Sequence, residues 1–335
     1  MKIHYFAGEG WEEQVVREKL VGDEIIFHEG PFSAHADVSD SSADALCVFM
    51  ESRIGEAEMN RFPALKLIAT RSTGFDHIDL ATAAAKGITV VNVPFYGENT
   101  VAEFAFALLL SLSRRIPEAQ ARVRSGAFSP AGLRGFDLAD KTIGVVGCGH
   151  IGMHMIKMAN GFGMKVLGFD VRQDPQCAID NNFTYATLDE ILASADIISL
   201  HAPYNPHTHH LLNAENMKNI KKGAYLINTA RGALVDTAAL VAALEQGVLA
   251  GAALDVLEEE GDLAHEESLL NQPHPKEEEL RTTLANHYLI DHPRVIVTPH
   301  LAFNTQEAVG RILTTTIENI QHFATGAPTN VVKSS

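Results

Sequence analysis

The sequence predicts an α/β protein of two doubly wound parallel-sheet domains with a cleft between them. Three observations carry that expectation. Residues 1–92 alternate short apolar runs with helical patterns, as strands and covering helices of a parallel sheet do. A Gly-x-Gly-x-x-Gly run, Gly147, Gly149 and Gly152, stands between a strand pattern and a helix pattern. The same alternation resumes beyond it and continues to Val297.

In the first stretch Ile3 to Phe6, Glu24 to Phe27, Ala45 to Phe49, Leu67 to Ala69 and Thr89 to Val91 carry strand patterns. Trp11 to Lys19, Gly55 to Arg61 and Leu80 to Ala85 carry helical ones. Thr100 to Arg115 is the strongest helix: Thr100 and Glu103 have capping-box spacing, Arg114 and Arg115 suit a helix C-terminus, and Pro117 stops the run. It is apolar nearly all round from Phe104 to Leu110, which predicts burial on most sides and suggests a homodimer built around it.

Ile143 to Val146 is a buried strand, followed by the glycines, a helix to about Asn160, and a strand Lys165 to Phe169 ending at Asp170. This is a dinucleotide-binding unit of Rossmann-like type. Gly147 permits the tight turn, Gly149 lets the backbone approach a pyrophosphate, and Gly152 lets helix and strand pack closely. Further strands are Asp196 to Leu200, Ala224 to Asn228, Ala250 to Leu254 and Val295 to Val297, with helices Leu188 to Ala193 and Asp236 to Glu245 between them. Glu258 to His292 is an acidic excursion rich in His and Pro, with one helix over Lys276 to Asn286, and Thr305 to Phe323 is a last helix.

Composition narrows the function. A chain of 335 residues has room for two sizeable cores. No apolar run approaches the ~20 residues of a membrane span, and the first ten residues lack a signal-peptide layout. Cys47, Cys148 and Cys177 are odd in number and lack metal spacing, so a reduced, cytoplasmic chain without a metal is expected. A formal charge of −16 argues against nucleic acid or an anionic membrane as partner.

Ligands of open parallel sheets bind beyond the carboxyl ends of the strands, so polar residues there are the candidates. Asp170 is placed to accept hydrogen bonds from an adenosine ribose and to repel a 2′-phosphate, which favours NAD; Arg172, two residues on, leaves NADP open. Arg231 leaves a buried strand on a turn and suits a carboxylate. Asp255 ends the next strand, followed by Glu258, Glu259 and Glu260, and His300 ends the last as an acid/base candidate. Singly, each has a bland reading as a surface charge, a solvated acidic patch or a loop histidine. Their joint position at successive strand ends favours a site. His207, His209 and His210 read as a solvated loop rather than a metal site, and so do His265, His274, His287 and His292. Around Gly74, after Arg71, Ser72 and Thr73, consecutive N–H groups are candidates for an anion nest.

With these residues in view, the chain resembles the D-isomer-specific 2-hydroxyacid dehydrogenases over nearly its whole length. The likeness rests on GVVGCGHIG with Asp170, on Ala202-Pro203 with Thr208, on LINTARGALVD, on AALDVLEEE and on VTPH. It implies a discontinuous substrate domain, residues 1–99 with 300–335, of flavodoxin-like type, around an NAD-binding domain, residues 100–299. It places the catalytic residues on Arg231, Glu260 and His300. Glu260 is taken from the acidic run because it lies 29 residues after Arg231 and five after Asp255. Implied cofactor contacts are Gly147, Gly149, His150, Ile151, Gly152, Asp170, Ala202, Pro203, Thr208, Thr229, Ala230, Arg231 and Asp255.

Within the family the D-lactate dehydrogenases are most similar. Arg71 to Asp76 resembles their carboxylate-binding loop, which implies substrate contacts at Thr73, Gly74, Tyr96, Arg231, His300 and Phe303. The expected reaction is reversible, NAD-dependent reduction of a small 2-keto acid, pyruvate to D-lactate in preference. A reductase of hydroxypyruvate, glyoxylate or a bulkier 2-keto acid stays open, as does a non-enzymatic NAD(H)-sensing partner protein of the same fold.

Overall fold

The computed structural model describes residues 1–6, 8–260 and 276–333. They form two compact units, Met1–Gly97 with Asn304–Ser335, and Glu98–Phe303.

The first unit opens with β1 (Lys2–Phe6), α1 (Gly10–Lys19), β2 (Glu24–His28), β3 (Ala45–Val48), α2 (Glu56–Asn60), β4 (Leu67–Thr70), α3 (Leu80–Ala85) and β5 (Thr89–Val91). The strands make one parallel sheet in the order β2-β1-β3-β4-β5. The period-two alternation of each strand divides its residues between two cores. Phe6, Leu46, Val48, Ile68 and Val90 pack with Met59 and Phe62 on one face. Ile3, Tyr5, Ala45, Cys47, Leu67 and Val91 pack on the other with Val16 and Leu20. Burial on both faces is why these strands look like continuous apolar runs in the sequence.

The second unit runs through α4 (Glu98–Arg114), α5 (Ile116–Arg124), β6 (Thr142–Val146), α6 (His150–Gly161), β7 (Lys165–Phe169), α7 (Pro175–Asp180), β8 (Thr184–Tyr185), α8 (Leu188–Ser194), β9 (Ile197–Leu200), β10 (Ala224–Asn228), α9 (Thr237–Glu245), β11 (Leu249–Leu254), α10 (Glu277–Asp291) and β12 (Val295–Val297). Its seven parallel strands lie in the order β12-β11-β10-β9-β6-β7-β8. The winding reverses between β6 and β9, and a sheet of this kind binds ligand at such a switch point. The last helix, α11 (Gln306–Ala324), returns to the first unit, where Leu313, Ile317 and Ile320 join the second of its cores.

Several expectations change here. Helix α4 starts at Glu98, so Thr100 is a buried interior residue; the Glu103 carboxylate accepts from the Asn99 side-chain amide (3.0 Å) instead of closing a capping box. Pro117 does not end a helical region. Arg115 turns the chain with φ +53°, and Pro117 sits in the first turn of α5, where its missing N–H costs nothing. The short α7 and β8 carried too few apolar residues to stand out. Ala105, Phe106, Leu108 and Leu109 of α4 pack on Ile143, Met155, Ile156 and Ile227, so this part of its apolar girth is buried in the unit's own core. No described helix is long and apolar enough to cross a membrane. Of the acidic excursion, Glu258 to Glu260 and the stretch from Lys276 onward are described; His265 and His274 lie outside the described residues.

The unit boundaries fall at 97/98 and 303/304, against the expected 99/100 and 299/300. His300 and Phe303 therefore group with the second unit, and the cause is Asp255. Its carboxylate accepts from the N–H groups of Leu301 (3.0 Å) and Ala302 (2.8 Å) and from Thr298 Oγ1 (2.6 Å), tying the loop after β12 to the end of β11.

Candidate active site

At the switch point the three glycines meet three different surroundings. Gly147 turns with φ +97°, and a Cβ there would lie 2.6 Å from the Ala202 nitrogen. A Cβ on Gly152 would come within 1.9 Å of the Gly147 carbonyl oxygen, so α6 rests directly on the turn. A Cβ on Gly149 would meet nothing within 4 Å. Gly149 is also the N-cap of α6, and no side chain caps that helix. The first turn, beginning with His150 and Ile151, thus brings N–H groups and a positive dipole end to an open backbone. This is the arrangement a pyrophosphate requires.

Asp170, just past β7, accepts from the Cys148 N–H (2.8 Å) with one oxygen and from the Arg172 N–H (2.9 Å) with the other, fixing a carboxylate beside the glycine turn. After β9, the Thr208 hydroxyl donates to the Pro203 carbonyl (2.7 Å) and accepts from the Asn205 N–H (2.8 Å). Thr208 therefore shapes the loop that begins with Ala202 and Pro203. His201 bonds Ser199 Oγ (2.8 Å), and burial pushes its pKa down to about 4, so the ring is neutral near pH 7. At the end of β10, Thr229 is buried and its hydroxyl has no partner among the described residues. An open glycine backbone, a capless helix start, a strand-end carboxylate and an orphan hydroxyl together fit a dinucleotide.

The acid/base candidates stand on the next two strand ends. Asn228 closes the Arg231 turn, its side chain accepting from the Ala230 N–H (3.0 Å) and donating to the Arg231 carbonyl (2.8 Å). Arg231 Nη1 donates to the Ala230 carbonyl (2.8 Å). Gly232 packs flat against the neighbouring loop: a Cβ there would lie 2.0 Å from the Leu257 carbonyl carbon.

Of the three adjacent acids, Glu260 is the one at His300, with Oε1 2.6 Å from Nδ1. Its other oxygen accepts from the Leu257 N–H (3.2 Å). An ionised carboxylate only accepts, so Nδ1 carries the hydrogen and Nε2 is left to exchange a proton. His300 has φ +50°, and its N–H donates to the Asp255 carbonyl (2.8 Å). Asp255 is almost fully buried, which raises its carboxyl pKa against the lowering pull of its three hydrogen bonds and of His300.

Glu258 turns elsewhere, to His210 (2.5 Å) and Thr237 (2.8 Å), which corrects the reading of His210 as solvated. His292 is likewise buried, accepting from the Arg294 N–H (3.1 Å) and lying 3.7 Å from Glu245. Among the described residues no group of three or more His, Cys, Asp or Glu is placed to hold a metal.

The remaining substrate candidates are in the first unit, except Phe303, which directly follows the Asp255-held loop. Thr73 Oγ1 donates to the Val93 carbonyl (2.8 Å), Asn92 Nδ2 to the Thr73 carbonyl (2.8 Å) and Ser72 Oγ to the Gly74 carbonyl (2.6 Å). The N–H groups of Thr73 and Gly74 donate to no partner among the described residues, as an anion nest requires. Tyr96 is half-buried, and its carbonyl accepts from Arg311 Nε.

Sequence assigns no role to Asn228, Gly232 or Thr237, and it sets His210 aside as solvated. An Asx turn at the strand end could have flagged Asn228; the contact that demands Gly232 comes from a loop 25 residues away and left no local mark.

Residues 106–302 match the family model described as D-isomer specific 2-hydroxyacid dehydrogenase, NAD binding domain. A 2-hydroxyacid dehydrogenase homolog of Zymomonas mobilis is 35% identical over 97% of this chain and 98% of its own length. An aromatic 2-oxoacid reductase of Clostridium sporogenes is 41% identical over 77% of this chain and 76% of its own. Among solved structures, D-lactate dehydrogenase of Aquifex aeolicus, complexed with NAD and lactic acid, superposes with a TM-score of 0.87 at 34% identity, covering 97% of this chain and 96% of that one. The chain belongs to the D-isomer-specific 2-hydroxyacid dehydrogenases, NAD-dependent oxidoreductases that act on a CH–OH group.

Proposed function

We propose that the protein reduces a small 2-keto acid to the D-2-hydroxy acid, with pyruvate as the preferred substrate and D-lactate as product. The carrying observation is the Glu260–His300 pair, 2.6 Å apart at the ends of β11 and β12, beside the Arg231 turn that Gly232 seats on the same loop. NADH, when bound, supplies the hydride. The residues for it are the glycine turn with His150 and Ile151, Asp170 for the ribose, and the loop from Ala202 to Thr208 with Thr229 and Ala230.

His300, protonated at both nitrogens, gives the Nε2 proton to the carbonyl oxygen as charge grows there. Glu260 holds Nδ1 and orients the ring, leaving Nε2 to face the carbonyl oxygen. Arg231 grips the substrate carboxylate in two-pronged fashion and polarises the carbonyl. The N–H groups of Thr73 and Gly74 suit a carboxylate as well, and the likeness to D-lactate dehydrogenases favours a small substituent on the keto acid. Asp255 acts indirectly, by fixing the loop that carries His300.

The test is NADH oxidation, followed by absorbance, with pyruvate, hydroxypyruvate, glyoxylate and phenylpyruvate as substrates. Pyruvate should give the highest kcat/KM. A higher value for phenylpyruvate would move the protein to the bulky-substrate reductases. No turnover with any of them would favour an NAD(H)-sensing role.

A further inference from the structure

We propose that Glu258, clamped by His210, is the positioning residue that delivers Glu260 to His300; this rests on the acid/base reading of that pair. Glu258 and Glu260 are two residues apart, and Glu259 between them turns the chain with φ +53°. The two carboxylates therefore serve different partners.

Those of Glu258 are structural and numerous. Oε1 accepts from His210 Nε2 (2.5 Å), while Oε2 accepts from the Thr237 hydroxyl (2.8 Å) and N–H (3.3 Å). Thr237 is the first residue of α9, so the carboxylate also lies at the positive end of that helix. The Glu258 carbonyl accepts from the buried Asn286 amide of α10 (2.7 Å). His210 is itself fixed. Its N–H donates to the Ala233 carbonyl (2.9 Å), its carbonyl accepts from Asn213 Nδ2 (3.1 Å), and its ring stacks on His209 at 3.9 Å.

Glu260 has far less of its own. Its side chain is 40% exposed, against 13% for Glu258, and among the described residues it holds, besides His300, the Leu257 N–H alone. Its place is inherited from a loop pinned on one side by Gly232 and on the other by the Glu258 clamp. His210 lies two residues beyond the loop from Ala202 to Thr208, so the clamp also joins the cofactor loop to the acid/base loop. The charged groups bearing on His300 are Glu260 at Nδ1 and Asp255, which holds the next two N–H groups.

Glu258→Ala removes the clamp and lets Glu260 drift from Nδ1. We expect kcat for keto-acid reduction to fall about 10- to 100-fold with a smaller change in KM. The NMR resonance of the His300 Nδ1 proton, held downfield by the 2.6 Å hydrogen bond to Glu260, should move upfield when followed without cofactor, in the direction given by Glu260→Gln. Glu258→Gln can still accept from Thr237 and donate to the other tautomer of His210, so it should recover most of the loss. His210→Ala keeps the Thr237 contacts and should move both readouts the same way by less; the pair of alanine changes should be less than additive.

A Glu258→Ala protein that melts earlier but leaves the His300 Nδ1 proton resonance in place overturns the clamp. If that variant does not fold, an unmoved resonance in His210→Ala overturns it equally. A resonance that moves in both Glu258→Ala and Glu260→Gln without loss of kcat leaves the clamp standing and overturns the acid/base role of the pair.

Discussion

Each unit ends a buried strand with an arginine on a turn, Arg71 after β4 and Arg231 after β10, and the two lead different lives. Arg71 is 4% exposed. Its Nη1 donates to Glu12 (2.7 Å) and its Nη2 to the Phe6 carbonyl (3.0 Å), and its guanidinium lies 4.8 Å over the Tyr5 ring. Tyr5 donates to the same Glu12 oxygen (3.2 Å), and burial pushes the neighbouring Cys47 thiol up to about 12. Arg231 is only half-buried, on a turn shaped by Asn228. A strand-end position thus does not by itself make an arginine a ligand. Burial with a carboxylate from a neighbouring helix makes Arg71 part of the scaffold, beneath the loop that presents Thr73 and Gly74.

The largest expected effect separates these two residues. Arg231→Ala should fold with an unchanged Tm and lose about 10³-fold in kcat/KM for the keto acid. Arg71→Ala should do the reverse, losing about 3–5 kcal/mol of stability because Glu12 is left buried without its partner, with activity retained per folded molecule. Thermal unfolding and initial rates on both variants decide it; similar Tm losses in the two would dissolve the distinction.

A second pair sharpens the same point within the glycine turn. Gly149→Ala adds a methyl to open space at an ordinary backbone angle, so stability should hold while NADH binding weakens about tenfold. Gly152→Ala drives the methyl into the Gly147 carbonyl and should cost about 1–3 kcal/mol of stability as well. Calorimetric titration with NADH beside urea unfolding reads both. A Gly149 variant with native NADH affinity would argue against a close backbone approach there.

The smallest effect compares two histidines, one per unit. Burial lowers His201 to about 4, and burial with the charges of His4 and His35 lowers His28 to about 4. Each then takes up its proton more readily when unfolded. Stability is complete above the ordinary value of 6.5 and falls as pH drops from there toward 4. For the second unit the loss at pH about 4.5 should be about 2 kcal/mol, and His201→Asn should remove it. The first unit should keep its acid slope in that variant, because His28 is untouched. Urea unfolding at pH about 7 and about 4.5, followed by probes in each unit, checks this.

How far the sequence spoke follows from where each contact originates. The glycine turn, Asp170 and the helix that starts at Asp236 are local devices, complete within a few residues, and their spacing carries them. Pro117 misled because the same residue ends one helix pattern and begins another; only the φ of Arg115 tells the two apart. The run Glu258, Glu259, Glu260 offered three equal acids, and periodicity had no purchase on a loop. What distinguishes them lies outside the run, in His210 and Thr237 for one and His300 for another. Gly232 and Asp255 likewise take their meaning from segments far along the chain.

The backbone of His300 has a consequence of its own. A non-glycine residue at φ +50° carries about 1–3 kcal/mol of strain and persists only where its surroundings over-determine it. Asp255 over-determines it, with its carbonyl on the His300 N–H and its carboxylate on the next two. The conformational entropy of this segment is therefore surrendered when the chain folds, not when a substrate arrives. Little freedom remains in the backbone that carries the imidazole, so the place from which the ring projects is set in advance by a buried acid on another strand end.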